Sequence, residues 1–134
     1  MQVYDADDAT AAAAGGRPGG RSWWLWNDTQ DTARPSKAKQ YTQWNESLTT
    51  IAEALKEHAP VDGIFGFSQG ATVIALFLAQ CPLQQSELNY LPKFAIFVGG
   101  FMPRDAQVAD RITEGQPSIP SLHIYGQNDD LASQ

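Results

Sequence analysis

The feature that most narrows the fold is an apolar run of strand length, a tight turn, and a longer apolar run in immediate succession. Asp62-Gly63-Ile64-Phe65-Gly66-Phe67 is a short apolar stretch entered through a turn. Residues 70–80 are apolar over the three turns that a buried helix needs. Between the two stands Gly66-Phe67-Ser68-Gln69-Gly70, so strand, turn and helix share one five-residue hinge.

That hinge fits G-x-S-x-G, a pattern that arises by chance in roughly one chain in twenty of this length. The flanking strand and helix give it chemical meaning. A serine at such a turn is held in a strained conformation with its hydroxyl raised above the strand ends, which makes Ser68 the candidate nucleophile. Gly66 and Gly70 are expected where strand and helix backbones approach too closely for a Cβ. The backbone N–H of Gln69, at the helix N-terminus, is placed to meet an oxyanion forming on an attacked carbonyl. The plainer alternative is a βα turn whose glycines serve tightness alone.

The rest of the pattern extends this unit into an α/β chain. Tyr41, Trp44, Leu48, Ile51 and Leu55 recur at three- and four-residue steps, which predicts an amphipathic helix from about Ser36 or Thr42 to His58, stopped by Pro60. Phe94-Ala95-Ile96-Phe97-Val98 reads as a strand buried on both faces, and Ser121-Leu122-His123-Ile124-Tyr125 as a third strand. Helical patterns between strands imply parallel, right-handed crossovers. Three indoles in Trp23-Trp24-Leu25-Trp26 are too much apolar surface for water and are expected to pack on the domain's own core. Phe67, Phe77 and Phe101 are read as core rather than as pocket lining.

Residues 1–20, with an alanine run and Gly15-Gly16-Arg17-Pro18-Gly19-Gly20, read as a low-complexity, disordered N-terminus, leaving residues 21–134 as a partial domain. With 134 residues the chain falls short of the ~200 to 250 that single α/β domains often reach. A net charge of −6 without any basic cluster argues against nucleic acid and anionic membrane surfaces as partners. Cys81 has no second cysteine to pair with and is read as a packing residue where the apolar run of the helix ends. The longest apolar run is far below membrane-spanning length, so a cytoplasmic protein is expected. No metal and no organic cofactor is implied.

A serine nucleophile needs a base and an orienting acid, and in this fold class the acid lies in the loop after a later strand. Asp129 and Asp130, just past Ile124-Tyr125-Gly126, fit that place, although a solvated turn would read the same way. The only two histidines are His58 and His123. His58 falls near the start of the strand that Ser68 follows, roughly 15 Å away at ~3.3 Å per residue. His123 falls mid-strand and is expected to be a neutral imidazole bonded within the sheet region. Neither is placed to serve as the base.

Residues 61–71, Val61-Asp62-Gly63-Ile64-Phe65-Gly66-Phe67-Ser68-Gln69-Gly70-Ala71, resemble the elbow of the FSH family of serine hydrolases. Arg21-Ser22-Trp23-Trp24 is similar to that family's Arg-x-Trp segment, residues 94–104 to its strand with a Gly-Gly-Phe-x-Pro-Arg turn, and residues 120–129 to its acid-bearing strand. Acyl-protein thioesterases share Gly-Phe-Ser-Gln-Gly but follow it with glycine, where this chain has Ala71. The resemblance implies a partial α/β-hydrolase fold, parallel strands with flanking helices in three α/β/α layers. It also implies cleavage of small carboxylic esters or thioesters, with short or medium acyl chains, by Ser68 with Asp129 as acid. The family's opening Leu-His-Gly turn and closing Gly-Gly-His segment find no counterpart here, which implies truncation at both ends. The competing expectation is a catalytically dead fragment of the same fold that binds an acyl group or a partner.

Overall fold

The computed structural model describes residues 22–26, 38–84, 88, 90–115 and 119–129. The first twenty residues lie outside the described ones, as do Asp130 and the side chains of Trp26 and Cys81.

Strands β3 (Gly63–Phe67), β4 (Phe94–Val98) and β5 (Ser121–Ile124) form a parallel sheet in the order β3-β4-β5. Phe67 lies opposite Val98, and Val98 opposite Ile124, so the strands end together at one carboxyl edge. Helix α1 (Trp44–Glu57) precedes the sheet and α2 (Gln69–Gln84) joins β3 to β4. Helix α3 (Ala106–Glu114) lies between β4 and β5. A short antiparallel pair, β1 (Leu25–Trp26) with β2 (Tyr41–Thr42), stands apart from the sheet.

The expected amphipathic helix is present but starts later than its pattern, because Gln43 sits at φ 63° and turns the chain into α1. Trp44, Leu48, Ile51 and Leu55 bury one stripe. Helix α2 is apolar all round, as a helix enclosed on several sides must be. Val73, Leu76 and Phe77 are fully buried between the sheet and the neighbouring helices. Each such side chain contributes about 2 kcal/mol of transfer free energy. The helix runs through Pro82 to Gln84, past the point where its apolar run ends.

Trp24 meets the expectation of core packing: it is 1% exposed, stacked on Tyr41 at 4.9 Å and set edge-on to Phe101 at 6.1 Å. Phe77 is core and Phe101 half-buried against it. Phe67 departs from the expectation, at 65% exposed.

The departure has a topological cause. Ile64, Gly66, Ala95 and Phe97 turn to the face that α2 covers. Phe65, Phe67, Phe94, Leu122 and Ile124 share the opposite face, and all are exposed. Strand β4 is therefore buried on one face rather than two, with Ala95 and Phe97 inward and Ile96 and Val98 half-covered. Among the described residues, two of the three layers of an α/β/α sandwich are present.

Helix α3 opens on a capping aspartate. Asp105 Oδ1 accepts from the N–H groups of Gln107 at 3.0 Å and Val108 at 3.4 Å, while Oδ2 accepts from Tyr41 N–H at 2.7 Å. One carboxylate thus satisfies first-turn donors and ties β2 to α3.

Candidate functional site

The elbow is built as its sequence demands. Ser68 is at φ 52°, a left-handed conformation that costs a non-glycine residue about 1 to 3 kcal/mol. Three bonds hold it there. Its N–H donates to Val98 O at 2.8 Å, and its carbonyl accepts from the N–H groups of Ala71 at 3.0 Å and Thr72 at 3.3 Å. The residue is half-buried, at the carboxyl edge between β3 and α2. Gln69 is the first residue of α2, and the first N–H groups of a helix have no acceptor within it.

The two glycines do different work. A Cβ on Gly66 would lie 2.6 Å from Ala71 Cα and 2.7 Å from Gly70 O, so strand and helix backbones meet there as expected. A Cβ on Gly70 would instead meet the indole Nε1 of Trp23 at 3.2 Å. Gly70 is small because of a side chain from another segment, and the expectation of backbone crowding at that position is corrected.

The turn after β4 completes the floor of this edge. Gly99, at φ 58°, donates its N–H to Ile124 O at 2.8 Å. Gly100 brings the turn against α2, since a Cβ there would stand 3.1 Å from Ala71 Cβ. Thr72 Oγ1 donates to Phe101 O at 2.8 Å and accepts from Phe101 N–H at 3.2 Å.

Asp129 closes a turn after β5, its N–H donating to Gly126 O at 3.1 Å. Its Oδ2 is 3.9 Å from where a Cβ of Gly99 would stand, so the carboxylate lies beside the β4 turn. Ser68 and Asp129 therefore share one sheet edge with a single strand between them. Two inter-strand spacings separate β3 from β5, about 10 Å, a gap that an imidazole and two side chains can span.

The histidines stand elsewhere. His58 is the exposed C-cap of α1, at the opposite end of β3 from Ser68. His123 is exposed on β5 rather than enclosed by the sheet, because nothing among the described residues covers that strand. Its ring is 3.1 Å from Ser121 Oγ and tilted over Phe97 at 4.8 Å. Ser121 precedes it by two residues, so this bond draws the imidazole away from the carboxyl edge.

Other contacts of the elbow leave no trace in the sequence. Gln69 Oε1 accepts from Trp23 N–H at 2.9 Å, and Gln69 Nε2 donates to Ser22 Oγ at 3.0 Å. Among the described residues, no group of three or more His, Cys, Asp or Glu side chains could hold a metal ion. No helix among them is long and apolar enough to cross a membrane.

A family model described as serine hydrolase (FSH1) matches residues 2–134, taking in nearly all of the N-terminal stretch set apart above. The chain is 45% identical over 86 residues to Esterase OVCA2 of Bos taurus, covering 63% of this chain and 37% of that protein. It is 36% identical over 124 residues to Esterase CG5412 of Drosophila melanogaster, covering 92% and 43%. It is 36% identical over 112 residues to Esterase OVCA2 of Homo sapiens, covering 81% and 48%. The chain thus spans less than half the length of these curated relatives. No solved structure matches it.

Proposed function

Because this chain belongs to the serine hydrolase (FSH1) family, we propose that its carboxyl edge carries the nucleophile and the acid of a carboxylic ester hydrolase. The observation behind this reading is Ser68 itself, a non-glycine residue held at φ 52° between a strand and the first turn of a helix. A structural turn would place glycine there at no conformational cost.

Ser68 Oγ attacks the acyl carbon of the ester as its proton passes to a base, and the carbonyl oxygen becomes an oxyanion facing the Gln69 N–H. Collapse of the tetrahedral adduct returns that proton to the departing alcohol and leaves an acyl-serine. Water, deprotonated by the same base, then releases the acid and restores Ser68. Asp129 orients the base and stabilises its charged form. The base is a histidine other than His58 and His123, and we place it in sequence outside these 134 residues. The relatives extend well beyond the matched segment, which covers less than half of each, and so have room for it. Small esters or thioesters with short or medium acyl chains are the substrate range that the family likeness supports.

The position of both histidines also favours a second reading for the chain on its own, namely binding of an acyl group without turnover. Loss of the histidine in a related triad costs ~10⁶ in kcat. The two readings separate on a fluorophosphonate probe, with imidazole supplied as the base, followed by intact mass and peptide mapping. The hydrolase reading predicts a single adduct on Ser68 that disappears in Ser68→Ala. An adduct on another residue, or none under forcing probe concentrations, contradicts it.

A further inference from the structure

We propose that the side chain of Gln69 is a positioning residue for the reaction at Ser68, and that it works by clamping the Ser22-Trp23 segment onto the elbow. This rests on the reading of Ser68 as nucleophile and of the Gln69 peptide N–H as the oxyanion donor.

Gln69 is half-buried, and both the oxygen and the nitrogen of its amide bond to one short segment that lies 46 and 47 residues away in sequence. The direction of each bond follows from proton counting. Ser22 Oγ stands 2.6 Å from Trp24 O and 3.1 Å from Gln69 Oε1, and its single proton goes to the nearer carbonyl. Ser22 Oγ then accepts from Gln69 Nε2 at 3.0 Å, and Oε1 is left to accept from Trp23 N–H at 2.9 Å. Flipping the amide would set Nε2 against the Trp23 N–H, donor to donor, so the orientation is fixed.

The segment it grips is itself immobilised. Ser47, fully buried, donates its hydroxyl to Trp23 O, so the Trp23 residue is held through both its N–H and its carbonyl. Trp24 is locked between Tyr41 and Phe101, and Phe101 is bonded to Thr72 of α2. The Trp23 indole rests against Gly70, the next residue after Gln69. Gln69 is thus anchored through its side chain to a rigid body while its backbone forms the first peptide of the helix.

The consequence is geometric. An oxyanion donor is effective only when it is already aimed where charge develops. The end turns of a helix fray most readily, having the fewest backbone bonds. A side-chain clamp at that residue removes the fraying motion that would tilt the donor. The Trp23 indole, whose backbone the same clamp holds, stands as a wall beside the elbow.

The test compares Gln69→Met, which keeps length and removes both polar atoms, with Ser22→Ala, which loosens the clamp without touching α2, and with Asp105→Ala as a stability control. Two quantities are read on the 134-residue chain: hydrogen exchange of the Trp23 amide by NMR, and the rate of fluorophosphonate addition to Ser68 with imidazole present. The expected result for Gln69→Met is faster Trp23 exchange and about a tenfold slower adduct rate, part of the ~10²-fold or more that deleting an oxyanion donor costs. Ser22→Ala should move both quantities in the same direction but less, and Asp105→Ala should leave the rate unchanged. Faster exchange with an unchanged adduct rate would reduce the clamp to a structural contact and overturn the proposal. Unchanged exchange would overturn it equally, by showing that the clamp does not hold in solution. Absence of a Ser68 adduct in the unaltered chain would instead sink the nucleophile reading beneath it.

Discussion

The hydroxyl of Thr72 and the backbone of Phe101 close a reciprocal pair of hydrogen bonds, 2.8 Å outward and 3.2 Å inward, that fastens the elbow helix to the turn after β4. Thr72 is buried, so a substitution that removes the hydroxyl strands two backbone groups at once. Thr72→Val, which keeps the shape, should cost about 2 to 3 kcal/mol in urea unfolding. Thr72→Ser should retain most of the stability. Equal stability of the two variants would show that the pair contributes nothing.

The elbow glycines should respond unequally to the same methyl group. Gly66→Ala places a Cβ against backbone atoms of Gly70 and Ala71 that cannot retreat, so a loss of ~3 kcal/mol or more is expected, together with loss of Ser68 labelling. Gly70→Ala meets only the edge of the Trp23 indole, which can shift by a few tenths of an ångström. It should cost ~1 kcal/mol or less and change the indole fluorescence. Thermal melts and emission spectra of the pair check this.

How much of this was legible in the sequence varies with the reach of the interaction. The elbow, strand β4 and helix α1 were visible because their signals are local: a hinge motif, a run of β-formers, and a three-to-four period. Helix α3 was not singled out, although Asp105 followed by Val108 and Ile112 carries a cap and one turn of apolar spacing. The ties of Gln69 to Trp23, Thr72 to Phe101 and Tyr41 to Asp105 span 46, 29 and 64 residues and leave no local pattern at either end. Burial was overestimated at Phe67 and on β4 because an apolar strand does not say which of its faces a neighbour covers. Asp129 falls on the edge that carries Ser68, as its place after the last strand implied.

The sheet face that none of the described residues covers should make this chain associate. Phe65, Phe67, Phe94, Leu122 and Ile124 form one contiguous apolar surface across three strands. Sedimentation velocity of the 134-residue chain should show concentration-dependent association. Phe65→Lys with Leu122→Lys should weaken it while changing stability by ~0.5 kcal/mol or less per site. A monomer at all concentrations would contradict this.

The exposed pair Asp62 and Lys93, 2.7 Å apart, governs a weak pH effect. A hydrogen bond from Lys93, and then its charge, holds the Asp62 carboxyl below the usual carboxylate range. The same bond and charge raise the Lys93 ammonium above its usual range. The Asp62 contribution is complete above the unfolded carboxyl pKa and is lost as pH falls through the lowered folded value. The Lys93 contribution is complete below the unfolded ammonium pKa and is lost as pH rises through the raised folded value. Both groups are open to solvent, so the effect should be small and screened by salt. Lys93→Gln should lower stability slightly at neutral pH and low ionic strength, and the difference from the unaltered chain should vanish as pH falls through the Asp62 range, which flattens the acid limb.

We hold that the elbow and Asp129 form one site at one edge of the sheet, and that neither His58 nor His123 stands there as its base. The measurement that meets it most directly is the rate of fluorophosphonate addition to Ser68 as imidazole is titrated in, beside Asp129→Asn. Labelling should be slow without imidazole and show a saturable acceleration with it, with the acceleration weakened in Asp129→Asn and all labelling lost in Ser68→Ala. A rate indifferent to imidazole and to Asp129, or an adduct that survives Ser68→Ala, would contradict it.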